Sequence, residues 1–224
     1  NQYGAYTPVT DFAQFASRMT MANMAIEAGA KCALFTPDEK TAEYCGIELN
    51  DFQKSLSGDT DATYIKTITY RAEDFVPVMA CPSQVDKIRD VSDLEGTEID
   101  QVFIGSCTNG RLEDLKAAAE VLKGKKVAKY VKLIVTPASR KIYRQAIDMG
   151  IMDVLAEAGA IITHPGCGLC CGRTGGILTD GERVVATNNR NFLGRMGTSK
   201  VEIYLASPKT AAACAVAGKI VKPE

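Results

Sequence analysis

Three cysteines and the only histidine of the chain lie in one glycine-rich stretch, HPGCGLCCGRTGG, residues 164–176. Cys167 and Cys170 form a CxxC pair, a spacing that lets two thiolates bind one metal centre while backbone amides point at the sulfurs. Five glycines keep the loop tight and allow the backbone to approach a bulky inorganic group that a Cβ would obstruct. The pattern favours an iron-sulfur centre.

A CxxC pair also occurs in zinc sites and in redox-active dithiols, and it can simply contribute to packing. A structural zinc site needs four ligands, and this sequence has no second CxxC pair and no paired histidines. Redox dithiols usually lie at the start of a helix in a thioredoxin-like context, which is not recognisable here. Spacing alone therefore ranks the iron-sulfur centre first and leaves the other three roles open.

From about residue 90, short apolar runs alternate with amphipathic helical stretches. The runs include IDQVFIGS, YVKLIVTP, AIITH, RVVATN and VEIYLASP. This rhythm is typical of an α/β fold in which a parallel-rich sheet is covered by helices. Ligands of such sheets collect beyond the carboxyl ends of the strands. Cys107 follows one of these predicted strands, and Cys167 and Cys170 follow another, so both cysteine motifs are expected at that edge.

The first ninety residues follow a less regular pattern. We expect a largely buried helix over residues 11–30, a short inner strand at CALFTP, a helix that ends at Gly46, and a strand at TYIKTITY with one exposed face. We predict one partial α/β domain over residues 1–90 and a second domain, with the cysteine motifs, over residues 91–224. No clear linker separates the two.

The charge balance and the apolar pattern exclude several classes of partner. The chain has 26 basic and 27 acidic residues, so no net field attracts nucleic acid or an anionic membrane. No apolar run approaches the ~20 residues that span a membrane, and NQYGAYTPVT lacks the pattern of a secretory signal. Eight cysteines are too few for a disulfide-stapled miniature. We expect a cytoplasmic protein with reduced thiols and a small-molecule partner.

Several motifs, in order along the chain, resemble the aconitase family. They are GSCTNGRLEDL, HPGCGLCCG, NNRNFLGRMG and YLASPKTAAACAVAGKI, with Cys107 and Cys167 sixty positions apart. MTMANMAIEAGAK and TPDEKT look like the large subunits of isopropylmalate isomerases and homoaconitases within that family. The resemblance begins at about residue 18, covers the rest of the chain and implies aconitase-like α/β domains.

The resemblance implies a 4Fe-4S cluster bound by Cys107, Cys167 and Cys170, which leaves one iron without a protein ligand. Such an iron is a Lewis acid that can take the hydroxyl and a carboxylate of a hydroxy acid, which makes hydroxide a better leaving group. Clusters that only transfer electrons normally have four thiolate ligands. The implied activity is a hydro-lyase that isomerises a hydroxy di- or tricarboxylate, such as 3-isopropylmalate or homocitrate, in amino-acid and specifically leucine biosynthesis.

Five further side chains are assigned to the site. Guanidinium forks hold carboxylates in fixed planes, and the resemblance implies that Arg190 and Arg195 bind the substrate in this way. It also implies that Asn189 lies close to the cluster. Asn23 and Glu27 lie four residues apart and so share one face of the first predicted helix. Their family counterparts approach the cluster and the iron-bound water, so we assign Asn23 to the cofactor and Glu27 to catalysis.

The remaining histidine and cysteines receive weaker roles. His164 precedes Pro165, and a single histidine in that position more often closes a turn than takes part in catalysis. Cys171 is not expected to bind the same iron as Cys170, because adjacent side chains project in different directions. The other cysteines have apolar neighbours in the sequence and are expected in the core. They are Cys32, Cys45, Cys81 and Cys214.

The family's active site also draws on a histidine-containing amino-terminal region and on a swivelling domain that supplies a serine and further arginines. Neither is recognisable in this chain, which starts at Asn1. We therefore expect the cluster-bearing part of a longer large subunit, or a naturally split one, that needs a small swivelling-domain subunit. A non-catalytic iron-sensing or RNA-binding relative and a dimethylmalate-type dehydratase are the alternatives.

Overall fold

The chain divides into two units, Asn1–Phe75 and Val76–Glu224. The structure is a computed structural model, and it describes residues 4–7, 15–51, 56, 58–59 and 61–223.

The first unit combines a pair of parallel strands with short helices. Its described elements are β1 (Gly4–Thr7), α1 (Phe15–Met24), β2 (Cys32–Phe35), α2 (Glu39–Cys45) and the 3-10 turn η1 (Ala72–Asp74). β1 and β2 pair in parallel. α2 begins after Asp38, whose side chain accepts a hydrogen bond from the N–H of Thr41, and it ends at Gly46 as the sequence predicts.

The helix expected over residues 11–30 is shorter and less buried than the sequence suggests. α1 ends at Met24, and a turn over residues 25–29 follows, with Gly29 in the left-handed region at φ 79°. Ala16 and Arg18 are the buried residues of α1. Residues 11–14 of the predicted helix lie outside the described residues. For the rest, the expectation of one largely buried helix is wrong, because α1 ends at Met24 and most of its residues are not buried.

The alternating segment TYIKTITY, residues 63–70, forms no strand in the structure, and all its side chains are exposed. Alternation of apolar and polar residues predicts a strand when one face of it is covered. No described element covers this segment, so the prediction of a strand there is wrong.

A seven-stranded sheet forms the centre of the second unit. Its strands are β3 (Val78–Ala80), β4 (Ile88–Asp90), β5 (Gln101–Gly105), β6 (Lys132–Thr136), β7 (Ile161–Ile162), β8 (Arg183–Ala186) and β9 (Glu202–Leu205). The spatial order is β4-β3-β9-β8-β5-β6-β7. Neighbours from β9 to β7 are parallel, while β3 runs antiparallel to both β9 and β4. The predicted α/β class with a parallel-rich sheet is confirmed.

Strands β3 and β4 belong to the second unit, so the boundary in the sequence falls before them. The regular rhythm of the sequence begins near residue 90, which places the expected boundary there. The structure instead divides the chain between Phe75 and Val76, because β3 pairs with β9 and carries β4 into the same sheet.

The helices of the second unit pack on the sheet. They are α3 (Ser106–Asn109), α4 (Leu112–Leu122), α5 (Arg140–Asp148), α6 (Ile151–Ala158) and α7 (Pro208–Ala217), with the 3-10 turns η2 (Val91–Leu94) and η3 (Gly168–Cys171). Val102 and Ile104 of β5 share a buried cluster with residues of α4, α6 and α7. Phe103, which points to the opposite face, shares a second cluster with Leu169 and Met196. Residues from η3 and from the loops thus pack on the face of the sheet opposite to α4, α6 and α7.

An ion pair joins α1 to the start of α2. Arg18, which is 3% exposed, donates from Nη1 to Oδ1 of Asp38 at 2.7 Å and from Nη2 to Oδ2 at 2.6 Å. The hydrogen-bonded guanidinium holds the pKa of the Asp38 carboxyl well below its usual range. A carboxyl whose pKa is lowered by folding stabilises the folded state above its unfolded pKa, about 4, and this contribution is lost as the pH falls through the folded pKa.

We expect Asp38→Asn to lower the free energy of unfolding by about 2 kcal/mol at pH 7, because buried Arg18 loses its charged partner while a cap acceptor remains. The deficit should shrink as the pH is lowered from 4 towards 2. Urea denaturation of both proteins across that range measures it. Glu43→Gln removes an exposed carboxylate from α2 and should have little effect at any pH. A deficit that is equal at pH 7 and pH 2 would contradict the role of the charge.

Candidate functional site

The three cysteines of the predicted cluster come from two loops at one edge of the sheet. β5 leads into α3, which carries Cys107, and β7 leads into the loop with Cys167 and with Cys170 in η3. β5, β6 and β7 are parallel neighbours, so their carboxyl ends lie at the same edge. α3 also contacts η3 directly. The two cysteine motifs are therefore neighbours in the structure, as the sequence predicts.

The neighbouring thiols act electrostatically on Cys167. Burial raises the pKa of the Cys167 thiol, and the nearby thiols of Cys107 and Cys170 raise it further. Within the described residues, no three histidine, cysteine or acidic side chains are gathered so that they could hold a metal ion. A single ion draws all its ligands to one point, whereas an iron-sulfur cluster takes each thiolate at a different iron. The thiols of Cys107 and Cys170 are near enough to Cys167 to act on its ionisation.

Two glycines let both loops pass close to Thr136, the last residue of β6. A Cβ on Gly105, whose φ is 148°, would overlap the main chain of Thr136. A Cβ on Gly168, whose φ is 53°, would lie 2.5 Å from Oγ1 of the same threonine. A side chain at either position would push a cysteine-bearing loop away from the sheet. Glycine is therefore required at both positions by space as well as by φ.

Ser106, immediately before Cys107, combines an unusual backbone with an unsatisfied hydroxyl. Its φ is 78°. Among the described residues, no other residue except glycine has a positive φ. The residue is 1% exposed, and its Oγ has no hydrogen-bond partner in the described part of the chain. A buried hydroxyl without a partner costs about 1–3 kcal/mol. Strain and an unsatisfied polar atom beside a thiol are typical of a site that a bound group completes.

Two asparagines hold α3 against the loop that follows β8. Asn189 is 3% exposed, and its Oδ1 accepts a hydrogen bond from Nδ2 of Asn109 at 2.7 Å. The same Nδ2 donates to the main-chain oxygen of Thr187. Because Asn109 is the last residue of α3, this contact links Asn189 to the helix that carries Cys107. Sequence reasoning missed Asn109, although it lies in the CTNG motif.

The two predicted arginines differ in their surroundings. Arg195 donates from Nε to the main-chain oxygen of Cys170 at 2.5 Å, and its Nη2 lies 3.7 Å from the Cys170 Sγ. Arg190 is half-buried, and its main-chain oxygen accepts a hydrogen bond from Nδ2 of Asn188 at 2.7 Å. The structure therefore joins the side chain of Arg195 to the cysteine loop, whereas the main chain of Arg190 is held by Asn188.

Asn23 and Glu27 belong to the first unit, and the cysteines belong to the second. Asn23 is half-buried in the last turn of α1. Glu27 is exposed and lies in the turn after that helix. The expectation that one helix carries both on one face is wrong, because α1 ends between them. Their roles at the site stay predictions.

The other cysteines and the histidine fall into distinct environments. The Cys171 thiol donates to the main-chain oxygen of Gly168 at 3.5 Å, so it is directed at its own loop. His164 is exposed. The core placement predicted for four cysteines is confirmed for Cys81 and Cys214, which are buried. It is wrong for the two exposed cysteines of the first unit, Cys32 and Cys45.

Comparison with known proteins decides the family. A model of the aconitase family (aconitate hydratase) matches residues 8–94 and 83–218. This chain belongs to the aconitase family. The family resemblance predicted from the motifs is therefore confirmed, and the α/β fold described above is an aconitase-family fold.

Curated members of the aconitase family resemble the chain over nearly all its length. It is 51% identical to a 3-isopropylmalate dehydratase large subunit 2 of Archaeoglobus fulgidus over 209 residues, 92% of this chain and 50% of that protein. It is 52% identical to a 3-isopropylmalate dehydratase large subunit 1 of Methanopyrus kandleri, over 92% of this chain and 49% of that protein. It is also 51% identical to a probable methanogen homoaconitase large subunit of Methanosarcina mazei, over 93% of this chain and 52% of that protein. The chain thus spans about half the length of these relatives.

The helices that the structure describes are short or carry polar residues. Within the described residues, none is long and apolar enough to cross a membrane.

We expect Gly168→Ala to destabilise the second unit by about 2–3 kcal/mol, because the new Cβ meets Thr136 and the positive φ is strained. Gly175→Ala is the matched control in the same loop. It has a similar φ of 56°, but its Cβ would lie 3.8 Å from the nearest atom, Cγ2 of Thr163. Urea denaturation of both variants measures the difference. Equal losses of stability would show that φ strain alone matters and that the approach to Thr136 does not.

Proposed function

We propose that this chain is the cluster-binding part of an aconitase-family hydro-lyase. The enzyme isomerises a hydroxy di- or tricarboxylate by loss and re-addition of water. The observation that carries the proposal is the supply of three free thiols by two loops at one edge of the sheet, beside a buried hydroxyl that has no partner among the described residues. The names of relatives at about 50% identity support the same activity.

The proposed cofactor is a 4Fe-4S cluster held by Cys107, Cys167 and Cys170. When bound, a cluster with three protein thiolates supplies an iron with an open coordination position, which acts as a Lewis acid. The donor set fits this group, since thiolates are the usual ligands of such clusters and Cys171 is engaged with its own loop. The hydroxyl of Ser106 would find its missing acceptor in the bound group. Asn189 would keep α3, and with it Cys107, in place through Asn109.

The substrate's carboxylates require cationic groups with directed N–H donors. We propose Arg190 and Arg195 for this role, because both follow β8 and a guanidinium can bind a carboxylate with two parallel hydrogen bonds. Removal of water also requires a group that accepts and returns a proton. Glu27, an exposed carboxylate in the turn after α1, is the proposed group, and Asn23 is proposed to support the cofactor.

The names of the relatives suggest the substrate and the partner. Most of those named above are 3-isopropylmalate dehydratase large subunits, and one is a probable homoaconitase large subunit. We therefore propose 3-isopropylmalate, and with it cytoplasmic leucine biosynthesis, with homocitrate as the second substrate to test. A large subunit implies a small one, and we propose a separate swivelling-domain subunit as the partner that completes the active site.

We expect anaerobic treatment of the chain with iron and sulfide to give a brown, oxygen-sensitive protein with about four irons per chain. Cys107→Ser should abolish the visible absorbance, because one of three ligands is lost. Cys171→Ser is the matched control and should retain the colour. Iron analysis and visible spectroscopy measure both. A stable, colourless protein that holds zinc instead would contradict the cofactor assignment.

We expect Arg190→Lys to raise the KM for the hydroxy acid by roughly tenfold, because the charge remains while the two-pronged contact is lost. The assay uses the chain with its small subunit and compares 3-isopropylmalate with homocitrate. The visible absorbance of the cluster should be unchanged in this variant. Loss of the cluster would instead show that Arg190 supports the metal centre rather than the substrate.

A further inference from the structure

The contact between Arg195 and Cys170 links the loop after β8 to the cysteine loop. Nε of Arg195 donates to the Cys170 main-chain oxygen at 2.5 Å, and Nη2 lies 3.7 Å from the Sγ. One edge of the guanidinium therefore contacts both the backbone and the thiol of a single proposed ligand.

The rest of Arg195 is fixed from two further directions. Its Cζ lies 5.2 Å from the centre of the Phe192 ring, within the range of a cation–π contact. Its main chain packs closely on the same loop, because a Cβ on Gly172 would lie 2.5 Å from the Arg195 oxygen. The side chain and the main chain of Arg195 thus both border the segment 167–172.

Two backbone hydrogen bonds lie within the segment 167–172. The N–H of Cys170 donates to the Cys167 oxygen at 3.1 Å, and the N–H of Gly172 donates to the Leu169 oxygen at 2.8 Å. Both bonds lie inside the turn, so they shape it without attaching it to the loop after β8. Arg195 supplies such an attachment.

We infer that Arg195 is a positioning residue for Cys170, which holds the carbonyl and the thiol of this ligand in place for the metal centre. Nε and Nη2 form the side edge of the guanidinium, one of the two edges that can grip a carboxylate. In Arg195 that edge is directed at Cys170. In this inference Arg195 acts on Cys170 in addition to the carboxylate binding proposed above for both arginines. The effect of Arg195 on a bound cluster rests on the proposed function, whereas its effect on the position of Cys170 does not.

The placement is tested on the full chain without a cluster, by hydrogen–deuterium exchange of peptides that cover residues 167–172. Arg195→Met keeps the apolar contact with Phe192 and removes both donors, so exchange there should be roughly tenfold faster. Arg195→Lys can reach only one acceptor at a time and should give an intermediate rate. Arg173→Met removes an exposed arginine from the same loop and should leave the rate unchanged. Wild-type exchange in Arg195→Met, or an equal increase in Arg173→Met, would overturn the inference.

A second measurement uses the reconstituted cluster, without substrate. Arg195→Met should release iron to a chelator several-fold faster than the wild type and should lower the reduction potential, since an N–H donor near a thiolate favours the more negative reduced state. A residue that only stabilised the fold would leave the reduction potential unchanged. A residue that only bound substrate would leave both the rate of iron release and the reduction potential unchanged. An unchanged release rate and potential would overturn the role at the metal. Failure of the wild type to take up a cluster would refute the proposed function, and the exchange experiment would still decide the placement of Cys170.

Discussion

Both cysteine loops close against Thr136 at the end of β6. This strand lies between β5 and β7, the strands that lead into the two loops. Gly105 contacts the threonine main chain and Gly168 its side chain, and neither position has room for a Cβ. The distance between the thiols is therefore governed by how closely the two loops pass the same residue. The asparagines and Arg195 act on loops whose course this packing has already determined.

Local signals in the sequence account for most of the second unit. Apolar runs of four to six residues correspond to β5, β6 and β8, and glycines end helices such as α7, after which Gly218 has a φ of 72°. The cysteine motifs lie at the expected edge because parallel strands share their carboxyl ends. In the first unit the same signals are weaker. TYIKTITY has the alternation of a strand, but alternation says nothing about whether another element covers it.

The contacts that define the site could not be predicted from one sequence. Asn109 and Asn189 are 80 residues apart, and Arg195 and Cys170 are 25 apart. Such pairs depend on the arrangement of strands, and no local pattern encodes them. The positive φ of Ser106 has no local signal either, since serine rarely adopts it. Motif recognition supplied the names of several of these residues, and the structure supplied their partners.

Leu169 lies between the two cysteines of the CxxC pair and is 1% exposed, packed in the same cluster as Phe103 and Ile134 of the sheet. Opening the loop would expose this side chain to water at a cost of roughly 2 kcal/mol. The hydrophobic core therefore holds the middle of the cysteine loop in place. The proposed cluster would then bind to a loop that the core already holds, so little of its binding free energy would be needed to order the peptide.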